Sequence, residues 1–300
     1  MKIDSKTNGL VSIIMPTYNR AHYILETIKS IQSQTYTNWE LYVMDDGSTD
    51  NTKELVLAIE DDRIRYCNEG RIGITGVLKN KAIRESKGEL ITFMDSDDLL
   101  APHKLEAQVN ALQQNPDAGF SFTNCHDFNE QGIQRIYLDK QQGIEVGNFF
   151  EAICWGHKLV FIQTVMFRRT CIDALSYFRE NRIFTDFSFI TNLAWKHKAI
   201  ILYESLFFRR LHSGNNINSN WVLDYDEYIE TIERYRVEKR LTKQTANKIL
   251  FIGIINCGLG YIKHGNKVKA VRSFMKAWKY KPLSIIPLKK IIKTFVGTSV

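Results

Sequence analysis

Leu90-Ile91-Thr92-Phe93-Met94-Asp95-Ser96-Asp97-Asp98 runs from apolar residues straight into three carboxylates within four positions. Leu90 to Met94 reads as a buried strand, and the acids stand where it ends. In open α/β sheets, ligands bind outside the carboxyl ends of the strands. Clustered Asp oxygens repel one another unless a cation shares them. Hard divalent ions such as Mg²⁺ and Mn²⁺ favour such oxygens and share them with phosphate. The alternative is an Asp-rich turn in which Asp98 caps a helix starting near Leu99. Taken alone, the stretch favours the turn, and the flanking sequence reverses that preference.

Upstream, Val11 to Met15 is the first strand, stopped by Pro16-Thr17-Tyr18-Asn19-Arg20. Tyr23 to Gln34 carries Ile24, Ile28 and Ile31 at helical spacing. Trp39 to Met44 is a second strand, ending at Asp45-Asp46-Gly47-Ser48. Thr52 to Glu60 reads as a helix and Arg63 to Tyr66 as a short strand; Val77 to Ser86 is helical, with Gly88 as its stop. Alternating β and α implies a mostly parallel sheet, whose strands share one carboxyl edge. The polar endings after Met15, Met44 and Met94 therefore converge. The rival reading of Asp45 to Asp50 is a turn and helix cap, with Gly47 supplying a permissive backbone.

Other chemistries are disfavoured. No Gly-x-Gly-x-x-Gly follows the first strand, and neither a P-loop, a His-Glu-x-x-His nor a Gly-x-Ser-x-Gly motif occurs. The five cysteines are scattered, with no Cys-x-x-Cys pair, which points to buried thiols in a reducing compartment. Met1 to Leu10 is polar and lacks the apolar core of a signal peptide. No uninterrupted apolar run approaches the roughly 18 residues that span a bilayer. The net charge of +7 is unevenly placed. Residues 239–300 hold 14 Lys and Arg and no Asp or Glu, leaving 26 bases against 33 acids in the first 238. A basic tail on a slightly acidic body points to an anionic partner, a membrane surface or nucleic acid.

Three blocks, Val11 to Arg20, Val43 to Thr52 and Lys87 to Asp98, resemble in order and spacing the family 2 glycosyltransferases of the GT-A fold. The resemblance covers roughly residues 10–220. It implies an α/β, Rossmann-like nucleotide-diphospho-sugar transferase with a mixed, mostly parallel sheet, followed by a C-terminal helical region. It further implies inverting transfer from a nucleotide-diphosphate sugar, usually a UDP-sugar, with Mn²⁺ or Mg²⁺. The acceptor would be a glycan or a lipid-linked molecule, in the building of a bacterial-type surface polysaccharide or glycolipid. The expected location is the cytoplasm, peripheral at the inner face of the plasma membrane.

By this resemblance, Asp45 and Asp46 accept hydrogen bonds from base and ribose. Pro16, Thr17, Tyr18 and Asn19 line the same pocket, with Tyr18 available for stacking. Asp95-Ser96-Asp97 looks like the family's Asp-x-Asp motif, with Asp97 the most direct metal ligand and Asp95 a second ligand or a ribose contact. The basic residue that the family carries before an Asn is Lys79 here, with Arg71 the alternative. Ile183 to Ile190 matches the family's acidic pair ahead of a helix. Thr185 replaces the first acid and Asp186 takes the role of catalytic base; the alternative is that Asp186 only caps the helix Phe187 to His197. Arg209 and His212 match a later Arg-x-x-His element, with Arg210 the neighbouring alternative. His212 would ligate the metal or contact the diphosphate, and the arginine would steady phosphate oxygens. Gln163 to Arg169 reads as an acceptor-side strand ending in two arginines, which are as readily solvated surface groups.

The expected boundaries are a transferase domain over 1–222 and a basic helical region over 223–300. Gly214 to Asn220 reads as a polar linker. Tyr225 to Arg240 alternates acids and bases as a solvated helix does. Asn256 to Trp278 resembles one tetratricopeptide-like hairpin, with Gly265 at the turn and Ala270, Phe274 and Ala277 on the packing face. Leu288 to Phe295 is a short basic amphipathic helix suited to a membrane surface. A nucleic-acid partner is not expected, because Tyr261, Phe274, Trp278 and Tyr280 suit a hairpin core better than stacking platforms. The remaining rival is a catalytically inactive binding module, for which Thr185 is the only hint.

Overall fold

The computed structural model describes residues 9–138, 142–173, 177–181, 185–212 and 217–296. Most of the polar N-terminus, residues 182–184 ahead of Asp186, and residues 213–216 of the expected linker lie outside the described residues. The chain divides into two compact units, 1–215 and 216–300.

The first unit begins β1 (Val11–Thr17), α1 (Ile24–Gln32), β2 (Trp39–Asp45), α2 (Thr52–Leu57), β3 (Ile64–Asn68), α3 (Thr75–Glu85) and β4 (Leu90–Phe93). It continues with β5 (Leu99–Leu100), α4 (Lys104–Gln114), β6 (Ala118–Asn129), β7 (Gly132–Ile136), β8 (Ile144–Gly147) and α5 (Phe150–Cys154). A 3₁₀ turn over Ile162–Thr164, β9 (Val165–Arg168), α6 (Thr170–Asp173), α7 (Asp186–Lys196) and β10 (Lys198–Arg210) complete it. The main sheet path is β3-β2-β1-β4-β9-β6-β10-β5. β1 to β4 are mutually parallel where they pair. β9 runs antiparallel between β4 and β6, and β10 is parallel to β6. β1, β2, β4, β6 and β10 thus all point the same way, and the loops leaving them share one edge.

β1 and β2 are apolar runs because both faces of a parallel sheet are covered. Val11, Ile13, Ile14 and Met15 are wholly buried, each contributing about 1.5–3 kcal/mol of transfer free energy. Ile24, Ile28 and Ile31 form the buried stripe of α1. Gly88 does not act as a left-handed helix stop; α3 ends at Ser86 in extended geometry. Its role is close approach: an added Cβ would lie 2.5 Å from the Ser12 amide nitrogen. Asp98 caps no helix either, because Leu99 and Leu100 pair with Phe208 and Phe207 of β10 and α4 starts only at Lys104. Lys104 is wholly buried. Its Nζ donates to Gln108 Oε1 at 2.7 Å and lies 3.5 Å from Thr92 Oγ1. Gln108 Nε2 in turn donates to Ser121 Oγ and the Thr164 carbonyl. This polar seam ties α4 to β4, β6 and the 3₁₀ turn.

The second unit consists of α8 (Ile217–Val237), α9 (Lys243–Lys263), α10 (Lys267–Ala277) and α11 (Ile286–Val296). α8 is not simply solvated: Thr231, Ile232 and Tyr235 are wholly buried. Glu233 accepts from Arg236, Lys279 and the Tyr280 hydroxyl, which hold its carboxyl well down, at about 2. α9 and α10 form a hairpin about Gly265, at φ +76°, with Ala270, Phe274 and Ala277 on the buried face. By length and composition α9 could cross a membrane, but half of its apolar window is buried, as in a core helix.

Candidate active site

The turn after β4 is held against β1 by the Met94 amide, which donates to the Ile14 carbonyl at 2.9 Å. Asp95, Asp97 and Asp98 then place carboxylate oxygens within 4.8 Å of one another. Each acid meets a group from another strand end. Asp97 Oδ2 receives Arg20 Nε at 3.0 Å, from the loop after β1. The same oxygen lies 3.1 Å from His212 Nε2, just past β10, and the His212 ring rests on Tyr23, centroids 4.7 Å apart. Asp98 Oδ1 accepts the Arg210 amide at 2.8 Å, and Arg210 Nε donates to the Asp97 carbonyl at 2.9 Å. Asp95 Oδ2 accepts Gln163 Nε2 at 2.6 Å.

Burial and the neighbouring Asp97 charge push the Asp95 carboxyl up to about 6. Burial, Asp95 and Asp97 push Asp98 well above the usual carboxylate range. A cluster of mutually repelling hard oxygens beside one imidazole suits a Mg²⁺- or Mn²⁺-sized cation. Asp95 and Asp97, with His212 alongside, could hold such an ion, while Asp98 is engaged by the β10 backbone.

A second group lies at the ends of β1 and β2. Asp45 Oδ1 accepts the Ser48 amide at 2.8 Å, and its Oδ2 accepts the Tyr66 hydroxyl at 2.6 Å. Asp46 accepts the Ile72 and Gly73 amides at 2.6 and 3.0 Å and pairs with Arg71. The Arg71 guanidinium covers the Tyr18 ring, 3.8 Å from its centroid. Asn19, in the left-handed region at φ 51°, receives the Thr49 amide on its side-chain oxygen and so staples the two loops together. Gly47, at φ +76°, turns where a Cβ would strike the Arg71 amide. Pro16 is half-buried within β1, and Ser96 is buried. Among the described residues Thr17 Oγ1 is buried without a hydrogen-bond partner, an acceptor and donor left unspent beside this group.

The third group faces α7. Asp186 is the first residue of that helix, where a negative charge is favoured. It does not serve as the cap: Thr185 occupies that position. Instead Asp186 Oδ1 accepts Lys79 Nζ at 2.8 Å. The Lys79 ammonium is buried against aromatic faces, 4.9 Å from the Phe178 centroid and 5.5 Å from Phe93. The Asp186 side chain remains 42% exposed and reachable.

Among the expected basic residues, Lys79 pairs with Asp186, and Arg71 pairs with Asp46 and covers Tyr18. Arg209 is spent on Asp127, at 2.7 and 2.9 Å, so Arg210 is the β10 arginine that reaches the acidic turn. Arg168 and Arg169 are half-buried and donate to the carbonyls of Ala118, Leu112, Gly88 and Ile83. Arg20, Tyr23, Tyr66 and Gln163 escaped the sequence reading. Arg20 closes the first block of the resemblance and carried that signal; Gln163 carried none.

The model of the family described as Glycosyl transferase family 2 matches residues 12–172. The chain belongs to glycosyl transferase family 2. Among relatives of this family 2 chain, an Escherichia coli protein named UDP-Glc:alpha-D-GlcNAc-diphosphoundecaprenol beta-1,3-glucosyltransferase WfgD is 43% identical over 44% of this chain and 52% of its own length. Glycosyltransferase GlyG of Streptococcus pneumoniae is 36% identical over 40% of each. The matches thus span about half the length of these relatives, or less. Among solved structures, S. aureus TarS in complex with UDP-GlcNAc is 18% identical, with a TM-score of 0.68 over 95% of this chain and 89% of that one. The mannosyltransferase PcManGT of Pyrobaculum calidifontis, in complex with GDP-Man and Mn²⁺, gives 0.57 at 17% identity, over 96% and 88%. At these identities the likeness speaks for the fold, which is GT-A.

Proposed function

We propose that this chain is an inverting glycosyltransferase that moves a sugar from a UDP-sugar to a hydroxyl of a glycan or lipid-linked acceptor in the cytoplasm, within surface-polysaccharide synthesis. The observation that carries the reading is the convergence of Asp95, Asp97, Arg20 and His212 on one sheet edge, with the Lys79-paired Asp186 still exposed to an incoming acceptor. The names of WfgD and TarS's ligand support a uridine nucleotide and, for WfgD, a lipid diphosphate acceptor. PcManGT supports Mn²⁺.

In this reading Asp97, Asp95 and His212 hold the divalent ion. The bound ion supplies Lewis-acid neutralisation of the departing diphosphate. Asp46, Tyr18 and the partnerless Thr17 hydroxyl receive the nucleoside, and Arg71 shifts from Asp46 to the ligand. Asp186 accepts the acceptor hydroxyl's proton as that oxygen bonds to the anomeric carbon. The carbon–oxygen bond to the diphosphate breaks on the opposite face, so configuration inverts. Lys79 keeps the base side chain in place.

The test is UDP release from a panel of UDP-sugars with Mn²⁺. Asp97→Asn and Asp186→Asn are each expected to lower turnover at least about 100-fold, the usual scale for a positioned acid–base group. Full turnover in both variants with the best donor would exclude the site. Asp97→Asn is also expected to abolish the Mn²⁺-dependent part of the thermal stabilisation by UDP, which an inactive binding module would show without any turnover.

A further inference from the structure

α11 turns apolar side chains outward. Ile285 just ahead of it, then Leu288, Ile292 and Phe295, recur at intervals of three, four and three residues, which is one stripe of a helix. They are 60%, 49%, 51% and 67% exposed, and Leu283 before them is 97% exposed. The face on one side of the stripe is covered: Pro287 and Thr294 are buried and Ile291 half-buried. Lys289 and Lys293 follow one flank of the stripe, both exposed. No acid occurs from residue 239 to the end, against 14 bases.

We propose that α11 docks this chain on an anionic lipid bilayer, lying in the plane of the interface with Ile285, Leu288, Ile292 and Phe295 among the acyl chains and Lys289 and Lys293 at the headgroups. A helix with an apolar stripe, a basic flank and no acid has the makeup of an interfacial helix. The charge argues against the other occupants. A second copy would bring lysines against lysines, and a nucleic acid would leave the apolar stripe in water. The inference is independent of the catalytic reading, because partition is measured without substrate.

The test is flotation of the full-length chain with phosphatidylcholine vesicles, with and without phosphatidylglycerol, at low and high salt. Binding is expected on the anionic vesicles, weaker on neutral ones, and reduced by salt. Lys289→Gln with Lys293→Gln, both exposed and unable to unfold the unit by their loss, is expected to weaken binding roughly 25-fold at low salt, about fivefold per lysine. Ile292→Glu with Phe295→Glu is expected to abolish binding while melting temperature and UDP release in solution are unchanged. Absence of partition, or equal partition on both vesicle types with no effect of the lysine pair, overturns the proposal. So does a wild-type oligomer, seen by light scattering without vesicle binding, that Ile292→Glu with Phe295→Glu dissolves; the stripe would then be an interface between copies.

Discussion

Lys104 offers a quantitative test of how the core beneath the site is built. Its ammonium position is wholly buried, with the Gln108 and Thr92 side chains in reach among the described residues. Burial alone pulls its pKa from 10.5 down to about 7. The unfolded chain, with the ordinary value, therefore binds more protons between pH 7 and 10.5, so stability from this group rises with pH across that window and is lost as pH falls towards 7. Each pH unit is worth about 1.4 kcal/mol. Lys104→Met keeps the volume and removes the titration, while leaving Gln108 Oε1 without its donor, a cost of about 1–3 kcal/mol. The difference in unfolding free energy, wild type minus Lys104→Met, is expected to grow by about 3 kcal/mol between pH 7.5 and 9.5. At the low end the variant is expected to equal or exceed wild type; at the high end wild type leads. Urea unfolding of both proteins at several pH values reads this directly, because the other titrating groups cancel in the difference. A difference that stays flat would mean that Lys104 is charged and solvated in the folded protein, and the buried seam described here would be wrong.

Arg71→Ala should raise the KM for the UDP-sugar about 10-fold and leave kcat near wild type, since a largely exposed guanidinium on Asp46 and Tyr18 acts through binding; a fall in kcat at constant KM would place Arg71 with the chemistry. Lys79→Met should do the reverse, lowering kcat about 10- to 100-fold at constant donor KM, because it holds Asp186. Steady-state kinetics on the two variants side by side separates the roles, and an exchange of the two signatures would restore Lys79 to the nucleotide. Gly88→Ala should cost about 2–3 kcal/mol in urea unfolding, because the new Cβ meets the Ser12 backbone and disturbs the Gly88 amide's bonds to Ser12 Oγ and Glu40. A loss below about 1 kcal/mol would show that β1 and β4 can part there.

The first half of the sheet was legible because its strands are mostly apolar runs; β1, β2 and β4 fall within two residues of the expected positions, although β1 runs on through Pro16 to Thr17 because a proline lacks only the amide donor. The second half was not. β6 and β10 are long strands whose pairing is set by neighbours far away in sequence, and the antiparallel β9 carries Arg168 and Arg169 onto carbonyls that no local pattern reveals. Asp98 shows the same limit: its local sequence matches a cap, but a two-residue strand with β10 intervenes. The choice between Lys79 and Arg71 could not be made from order alone. They lie eight residues apart, and only the position of α7 and the tight turn at Gly47 decide which carboxylate each one meets.

The sheet order explains why these particular loops form one crevice. In sequence the polar endings come in the order β1, β2, β4, whereas in the sheet β1 lies between β2 and β4. From β1 the chain steps outward to β2 and β3, then returns past β1 to β4. That reversal is a topological switch point, and the loops on either side of it separate to leave a crevice at the carboxyl edge. Arg20 leaves β1 and Asp97 leaves β4, so their 3.0 Å ion pair spans this crevice. The acids at the end of β2 flank it on one side, and α7, which begins at Asp186, packs over β4 and β9 through Phe189 against Phe93 and Phe167. A donor laid across the edge would meet, in order, the carboxylates of β2, the oxygen cluster after β4 and then the base. That is the order of nucleoside, diphosphate and sugar in the substrate proposed here. An arrangement in which β2 and β4 were neighbours would put the two acidic clusters side by side, with no crevice and no cation from β1 between them.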